Sequence, residues 1–339
     1  MEFNFLEILF RISIIYGLIL FGSIIRSFMR DPDNSPLNAY LTKIILTVFF
    51  PYLVISSILN IDTNSFFIIF LSIFFCLVVV FSGFVSVFLY SRIHSIPDPT
   101  LGSMFLAVSF PNSIFLPFPL ILILIGIQGL TTATLFAVTI IIVQNTFGSY
   151  LAIKYGSQNQ IQISLDFNKI IKKVLLFPPT LSMLIGFSLK ILFQPVSFVD
   201  FFSFLPFSSN EINSVTNGIS WISLVFALLL VGLTFNLSFK SLNNRFLLST
   251  SFFRLLIAPI AGMLFLGIVY IFFFPSEVAQ SQFIIPLIIQ AFSGPAIINI
   301  AFSKEFSLDM ESESVYITII TLFSLFILPF LVLFAFSVL

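Results

Sequence analysis

The chain has 339 residues, of which 59% are hydrophobic and only 8% charged, and its formal net charge at pH 7 is zero. Soluble domains carry roughly 25% charged residues, so this composition excludes a water-soluble core and predicts a protein whose partner is the lipid bilayer. Cys76 is the only cysteine and His94 the only histidine. A disulfide framework and a histidine-rich metal centre are therefore excluded, and neither a cofactor nor a nucleic-acid partner is expected.

Apolar runs bounded by Gly, Pro, Asn and charged residues recur along the whole chain. Each approaches the roughly 20 residues that a membrane-crossing helix needs. The fold class predicted is an all-α polytopic membrane protein with about ten transmembrane helices, near residues 5–26, 37–60, 65–90, 101–126, 129–153, 170–193, 212–236, 246–274, 279–303 and 313–337.

The basic residues predict the orientation of these spans. Every second connection between predicted spans carries lysine or arginine, for example Arg26, Arg92, Lys173 and Lys304. The connections between them carry almost none apart from Lys190. Lysine and arginine concentrate on the cytoplasmic side of a membrane. We therefore expect a multi-pass protein of the plasma membrane with both termini extracytoplasmic.

The fourth apolar stretch interrupts its own helix. The segment Ser109–Leu120 reads SFPNSIFLPFPL and places Pro111, Pro117 and Pro119 beside Asn112. Proline removes a backbone donor and clashes with the preceding turn. In hydrocarbon the freed carbonyls need other partners, so a broken helix is typical of a segment that lines a transport path.

The ninth stretch is interrupted at the equivalent place. The segment Gln290–Ser303 reads QAFSGPAIINIAFS, with Ser293, Gly294 and Pro295 near its middle and Asn299 after them. Ten spans divide into two repeats of five, residues 1–157 and 158–339, and an odd number per repeat makes the second repeat inverted. Broken helices four and nine are then expected to cross near the middle of the bilayer.

A crossing of this kind predicts a site for an anion. The N-terminus of each half-helix carries about +0.5 charge, and its unpaired N–H groups are expected to bind a carboxylate. Asn112 is equally compatible with capping a half-helix and with contacting substrate, and Pro111 and Pro295 are more typical of residues that form the crossing. The predicted substrate-binding residues are Pro111, Asn112, Ser113, Ser293, Gly294, Pro295 and Asn299.

Other polar residues inside the spans have two interpretations each. Gln144 and Asn145 are expected to hold helices together, with ion or substrate contact as the alternative. For Gln290, which precedes the break, packing and ion coordination are equally plausible. Arg254 is expected to extend its side chain to the membrane surface, with attraction of an anion as the alternative.

Acidic residues are expected only outside the membrane. Asp309, Glu311 and Glu313 are predicted to form a solvated cytoplasmic turn, and no Asp or Glu falls at mid-membrane. Transporters of metal ions and protons in this class of fold normally use buried carboxylates. Their absence favours an organic anion as cargo, with no metal site.

Short motifs resemble the auxin efflux carrier family, which includes plant PIN-formed carriers and bacterial malate or malonate carriers. The family motif of span four is matched by Asn112, Ser113, Phe115, Leu116, Pro119 and Leu120, whereas Ile114 and Pro117 stand where glycines are usual. Further similarities are FFPYLV with Pro51, FPPTLSMLIG with Pro178 and Gly186, FRLLIAPIAG with Arg254 and Pro259, and FSKEFSLD at Phe302–Asp309.

This resemblance implies a fold similar to bile-acid symporters and sodium/proton antiporters. A scaffold of residues 1–60 and 170–236 would hold a moving core of residues 65–153 and 246–339. It also implies alternating access of the elevator type and a homodimer.

Together, these features predict a secondary transporter of small organic anions, in particular carboxylates. One alternative is a sodium-coupled symporter of the bile-acid symporter type, with Gln290 and Gln144 near the ion. A second alternative is a membrane receptor or structural bundle without transport. An enzyme is not expected, because the single histidine lies in a loop and hydrolysis needs a base or metal beside a nucleophile.

Overall fold

The structure is a computed structural model that describes residues 5–29, 36–60, 66–156, 172, 175–193, 198–201, 208–235, 244–273 and 281–338. The regular structure of these residues is helical. The helices are α1 Phe5–Ser27, α2 Pro36–Ile44, α3 Phe50–Leu59, α4 Phe66–Ile93, α5 Asp98–Ser109, α6 Pro117–Leu124, α7 Ile127–Val143, α8 Ser149–Tyr155, α9 Pro178–Leu192, α10 Phe198–Phe201, α11 Ser209–Thr234, α12 Leu247–Phe252, α13 Ala258–Phe273, α14 Ser281–Ala291, α15 Asn299–Glu305 and α16 Met310–Val338. The predicted repeat boundary at 157–158 lies outside the described residues.

Seven helical stretches among the described residues are long and apolar enough to cross a membrane. They are Phe10–Ser27, Pro36–Leu59, Phe67–Ile93, Ile127–Tyr155, Ser209–Thr234, Leu247–Phe272 and Met310–Ala335. The chain is therefore an all-α polytopic membrane protein. The number of long helices differs from the predicted ten because two of the predicted spans are each divided into two short helices, and α9 has only 15 described residues.

Exposed phenylalanine side chains form stripes along the outer surface of the long helices. On α4, Phe70, Phe74 and Phe81 recur at helical spacing and are each more than half exposed. On α16, Phe326 and Phe330 form a second stripe. Large apolar side chains are costly in water, so these stripes are the surface that faces lipid.

Close helix pairs make up the bundle. Helix α1 lies along α11, α3 along α9, and α4 packs against α5, α7 and α13; α3 also packs against α7, and α11 against α6. The contact between α1 and α11 depends on two glycines that face each other, Gly22 and Gly232, because a Cβ at Gly232 would collide with the backbone oxygen of Ile19.

Three π-helical turns interrupt long helices, at Ile45–Phe49, Gln144–Gly148 and Phe253–Ile257. Two of them come just before a proline, Pro51 in α3 and Pro259 in α13. Proline has no N–H and its ring displaces the carbonyl four residues earlier, so the preceding turn widens.

Replacement of Gly232 by alanine is expected to separate α1 from α11. The added methyl group meets backbone, so the free energy of unfolding should fall by about 1–3 kcal/mol. Gly218 lies on the same helix, and no atom lies within 4 Å of the place that a Cβ on Gly218 would occupy. There Gly218→Ala should be neutral or stabilise the helix by about 0.5–1 kcal/mol. Thermal unfolding in detergent compares the two variants, and equal effects would contradict the close packing.

Candidate functional site

Both predicted interruptions are present, and each one divides a helix into two halves. Helix α5 ends at Ser109 and α6 begins at Pro117; helix α14 ends at Ala291 and α15 begins at Asn299. The chain between each pair of half-helices is non-helical. We refer to residues 110–116 and 292–298 as the two crossing segments.

The two crossing segments pair with each other through one isolated antiparallel bridge. Pro111 and Pro295 lie opposite one another. The N–H of Asn112 donates to the oxygen of Gly294 at 2.7 Å, and the N–H of Ala296 donates to the oxygen of Phe110 at 2.9 Å. Since neither proline has an N–H, the two bonds come from the residues that follow them. Each break therefore provides a hydrogen-bond partner for a backbone carbonyl of the other.

Arg254 supplies most of the remaining donors. Its side chain is fully buried, and its Nε donates to the oxygen of Ser293 at 3.0 Å. Its Nη2 donates to the oxygen of Ala291 at 2.6 Å, and its Nη1 to the oxygen of Val108 at 3.3 Å. The prediction that Arg254 reaches the membrane surface is wrong, because these carbonyls at the ends of α5 and α14 are its partners.

Asn112 holds the turn that leads into α6. Its Oδ1 accepts hydrogen bonds from the N–H of Phe115 at 3.1 Å and the N–H of Ile114 at 3.4 Å. Its Nδ2 is buried and has no hydrogen-bond partner among the described residues. The predicted capping of the half-helix is wrong, because α6 begins at Pro117 and has no side-chain cap; Asn112 holds the turn before the helix and keeps a free amide donor.

The expectation of unpaired backbone N–H groups at the half-helix N-termini is wrong. In α6, Pro117 and Pro119 have no N–H, and the N–H of Phe118 donates to the oxygen of Ile114. In α15, the N–H of Asn299 donates to the oxygen of Ala296. Tight local turns have taken the backbone donors, so a bound anion would depend on side-chain donors and on the helix dipole.

Gln290 connects α14 to the first crossing segment. Its Nε2 donates to the oxygen of Ser113 at 3.0 Å and to the oxygen of Ala133 in α7 at 3.3 Å. Its Oε1 is buried without a donor among the described residues. Gln290 thus holds helices together, as one interpretation predicted, and still presents one free acceptor.

Gln144 and Asn145 lie in the second π-helical turn. Gln144 Nε2 donates to Asn299 Oδ1 at 2.6 Å, which joins α7 to the start of α15. Asn145 Nδ2 donates to the oxygen of Ile141 in its own helix at 2.8 Å. Gln144 is therefore a contact between helices, whereas the described bond of Asn145 is local.

A cavity of about 140 Å³ opens beside the crossing. It is lined mainly by apolar side chains, including Leu46 from the first π-helical turn and Phe177 just before α9. The charged residue in its lining is Glu305, which is exposed. The polar lining residues are Asn112, Ser113, Gln144, Asn145 and Glu305.

The predicted substrate-binding residues divide between the cavity and the packing behind it. Pro111, Asn112 and Ser113 line the cavity. The remaining four, Ser293, Gly294, Pro295 and Asn299, do not belong to its lining. Ser293 Oγ donates to the oxygen of Ile289, and a Cβ on Gly294 would collide with Thr321. Pro295 pairs with Pro111, and Asn299 accepts a hydrogen bond from Gln144, which does line the cavity.

Sequence reasoning missed two residues at this site. Arg254 was visible as a charge inside a long apolar run that contains a proline, a pattern that favours an internal partner. Glu313 was predicted to be solvated, but it is fully buried in the first turn of α16, whereas Glu311 is exposed. Its position four residues after Asp309 places it on the inner face of that turn.

No family model matches this chain. No curated protein matches it either.

Replacement of Arg254 by methionine is expected to destabilise the crossing. The variant keeps the apolar stem but leaves buried carbonyls without donors, at a cost of about 3 kcal/mol or more in the free energy of unfolding. Arg92→Met is the matched control, because Arg92 is exposed at the end of α4. Thermal unfolding in detergent provides the measurement, and equal stability of the two variants would rule out this role.

Proposed function

We propose that this protein is a secondary transporter of small organic anions, specifically carboxylates, that bind in the cavity beside the crossing. The observation that carries the proposal is the amide of Asn112. Asn112 lines the cavity, and its Nδ2 is a buried donor without a partner among the described residues. An unpaired buried donor costs free energy that a carboxylate oxygen would recover on binding.

The electrostatics of the crossing support an anion at this position. The guanidinium of Arg254 contacts the carbonyl ends of α5 and α14, which are the negative ends of those helices. The cavity lies by the residues that lead into α6, whose N-terminus is positive by about half a charge. Positive potential from the dipole and a free amide donor therefore act on the same space.

The lining of the cavity favours an acid with an apolar body and one carboxylate. Most of its residues are aliphatic or aromatic, which suits an apolar group. The Glu305 carboxylate lies in the same lining and would repel a second negative charge on the ligand. A monocarboxylate such as benzoate therefore fits better than a dicarboxylate such as succinate.

The arrangement of the helices also supports alternating access of the elevator type. Seven long helices, α9 and the two divided helices together make ten spans, consistent with two inverted five-helix repeats and with the motifs shared with auxin efflux carriers. Leu46 and Phe177, from the proposed scaffold, face the crossing segments of the proposed core across the cavity. Movement of the core against the scaffold would expose the cavity to each side in turn. A homodimer in the plasma membrane, with extracytoplasmic termini, completes the proposal.

Replacement of Asn112 by aspartate tests the free amide directly. The carboxylate can still accept from the N–H of Phe115, so the turn is kept, but the donor becomes a negative charge. Binding of benzoate should weaken by about tenfold or more, since a hydrogen bond to a charged group contributes about 1.5–3 kcal/mol. Thermal shifts with acetate, benzoate, malonate and succinate, and benzoate uptake into proteoliposomes, measure the effect.

Two further variants complete this experiment. Asn112→Ala removes the acceptor of the turn and the donor together and should lose both stability and uptake. Asn210→Asp introduces the same charge at an exposed position in the first turn of α11 and should change neither. Unchanged benzoate binding and uptake in Asn112→Asp would remove Asn112 from the mechanism.

A sodium-coupled symporter is the second candidate, and one observation favours it. Gln290 Oε1 is a buried acceptor without a donor among the described residues, and oxygen atoms of this kind coordinate Na⁺. If sodium binds there, benzoate uptake should rise severalfold when sodium replaces potassium outside the liposomes. The rise should be lost in Gln290→Leu. Equal uptake in both salts would exclude this candidate.

A measurement of substrate flux distinguishes a receptor or structural bundle from both kinds of carrier. Protein that binds benzoate but gives no counterflow of labelled benzoate across liposomes would be a binder without transport. The divided helices argue against a purely structural role, because each break in a membrane helix has to be compensated by specific partners.

A further inference from the structure

Glu313 has an environment that no role described so far explains. Its side chain is 0% exposed. Neither Oε1 nor Oε2 has a hydrogen-bond partner among the described residues. A carboxylate buried without donors costs several kilocalories per mole, and such a group becomes neutral by taking up a proton.

Asp309, one turn earlier, shows what an ionised acid looks like in this fold. Its Oδ2 accepts from Ser312 Oγ at 2.6 Å and Thr100 Oγ1 at 2.8 Å, and its Oδ1 accepts from the N–H of Ser312 at 3.0 Å. Burial by itself raises the pKa of Asp309, but the hydrogen bonds from Ser312 and Thr100 outweigh it, and the net pKa is lowered. The negative charge on Asp309 makes a second charge on Glu313 still less favourable.

A chain of two amides connects Glu313 with the cavity. The side chain of Asn299 faces the Glu313 carboxyl, and its Nδ2 has no hydrogen-bond partner among the described residues. The Oδ1 of the same amide accepts from Gln144 Nε2 at 2.6 Å. Gln144 in turn lines the cavity. A charge that forms on Glu313 would attract Asn299 Nδ2 and so act on Gln144.

We propose that Glu313 is a proton-binding site of the folded protein and that the amides of Asn299 and Gln144 link it to the cavity. On protonation, one carboxyl oxygen forms an O–H bond with a proton from water, and the negative charge disappears. On release, the proton returns to water and the carboxylate is stabilised by the Asn299 amide. This inference rests on the proposed function only in taking the cavity as the substrate site.

The groups around Glu313 contain no cation, among the described residues, that would hold it ionised. Asp309 and the hydroxyl of Tyr316 interact with it electrostatically. Arg254, on the packed π-helical turn, directs its guanidinium to three backbone carbonyls. The other charged residues described on the helices packed against this turn of α16 are exposed, namely Asp98 on α5 and Lys304 and Glu305 on α15.

Infrared difference spectroscopy of the purified full-length protein, titrated without ligand, tests the proton site. A band of a protonated carboxyl group should persist in the wild type above about pH 4.3, where glutamate ionises in water. The band should be missing in Glu313→Gln and unchanged in Glu311→Gln, whose side chain is exposed on the same helical turn. Spectra of wild type and Glu313→Gln that agree from about pH 5 to pH 9 would overturn the proposal.

Thermal unfolding over the same pH range gives an independent readout. If Glu313 is neutral in the fold, the folded protein binds more protons than the unfolded chain above about pH 4.3, so stability falls as the pH rises. Glu313→Gln lacks this dependence, and its melting temperature relative to the wild type should rise from about pH 5 to pH 8. A constant loss of stability would instead indicate a structural carboxylate and contradict the inference.

The link to the cavity is tested with two neighbouring amides. Gln144→Met should shift the pH at which the Glu313 band disappears, whereas Asn145→Met, with an amide bonded to its own helix, should leave it in place. Identical shifts or none would refute the link. Because none of these measurements uses a substrate, failure of benzoate binding or uptake would reject the proposed function without deciding the proton site.

Discussion

The pairing of the two crossing segments is the constraint on which the rest of the structure depends. A helix that breaks inside a membrane exposes backbone carbonyls that hydrocarbon cannot satisfy. Here Pro111 and Pro295 lie opposite each other, and each segment donates one hydrogen bond to the other. Two bonds are too few for two breaks, so the guanidinium of Arg254 supplies donors for three more carbonyls. Each break therefore takes hydrogen-bond donors from the other break and from Arg254.

The hydrogen bonds of Arg254 and the cavity lie in different parts of the crossing. Arg254 neutralises the carbonyl ends of α5 and α14 from one side, and its own charge is taken up by those bonds. The cavity adjoins the residues that lead into α6; one of its lining residues, Asn112, has a buried Nδ2 without a hydrogen-bond partner among the described residues. The uneven use of donors, and not the helix N-termini alone, therefore distinguishes the cavity from the rest of the crossing.

Proline and composition made much of this architecture predictable. Pro111 and Pro295 fix the breaks locally, and the apolar runs fix the helices, since both effects act within a few residues. The division of roles was not predictable in the same way. Gly294 lies against α16 because of tertiary packing, and Arg254 finds its carbonyls 37 to 146 residues away along the chain. Such long-range partners leave no periodic signal in one sequence.

The acidic segment before α16 illustrates the same limit. Asp309, Glu311 and Glu313 alternate along the sequence and so look like one solvated turn, yet the helix that begins at Met310 directs Glu311 away from Asp309 and Glu313, which lie one turn apart. Asp309 takes the hydroxyl and N–H donors of the first turn. Glu311 faces outward, and Glu313 is left on the inner face with no donor of its own among the described residues. One helix start thus produces a hydrogen-bonded acid, a surface acid and a buried acid, and the buried acid is the one that we propose to bind and release a proton.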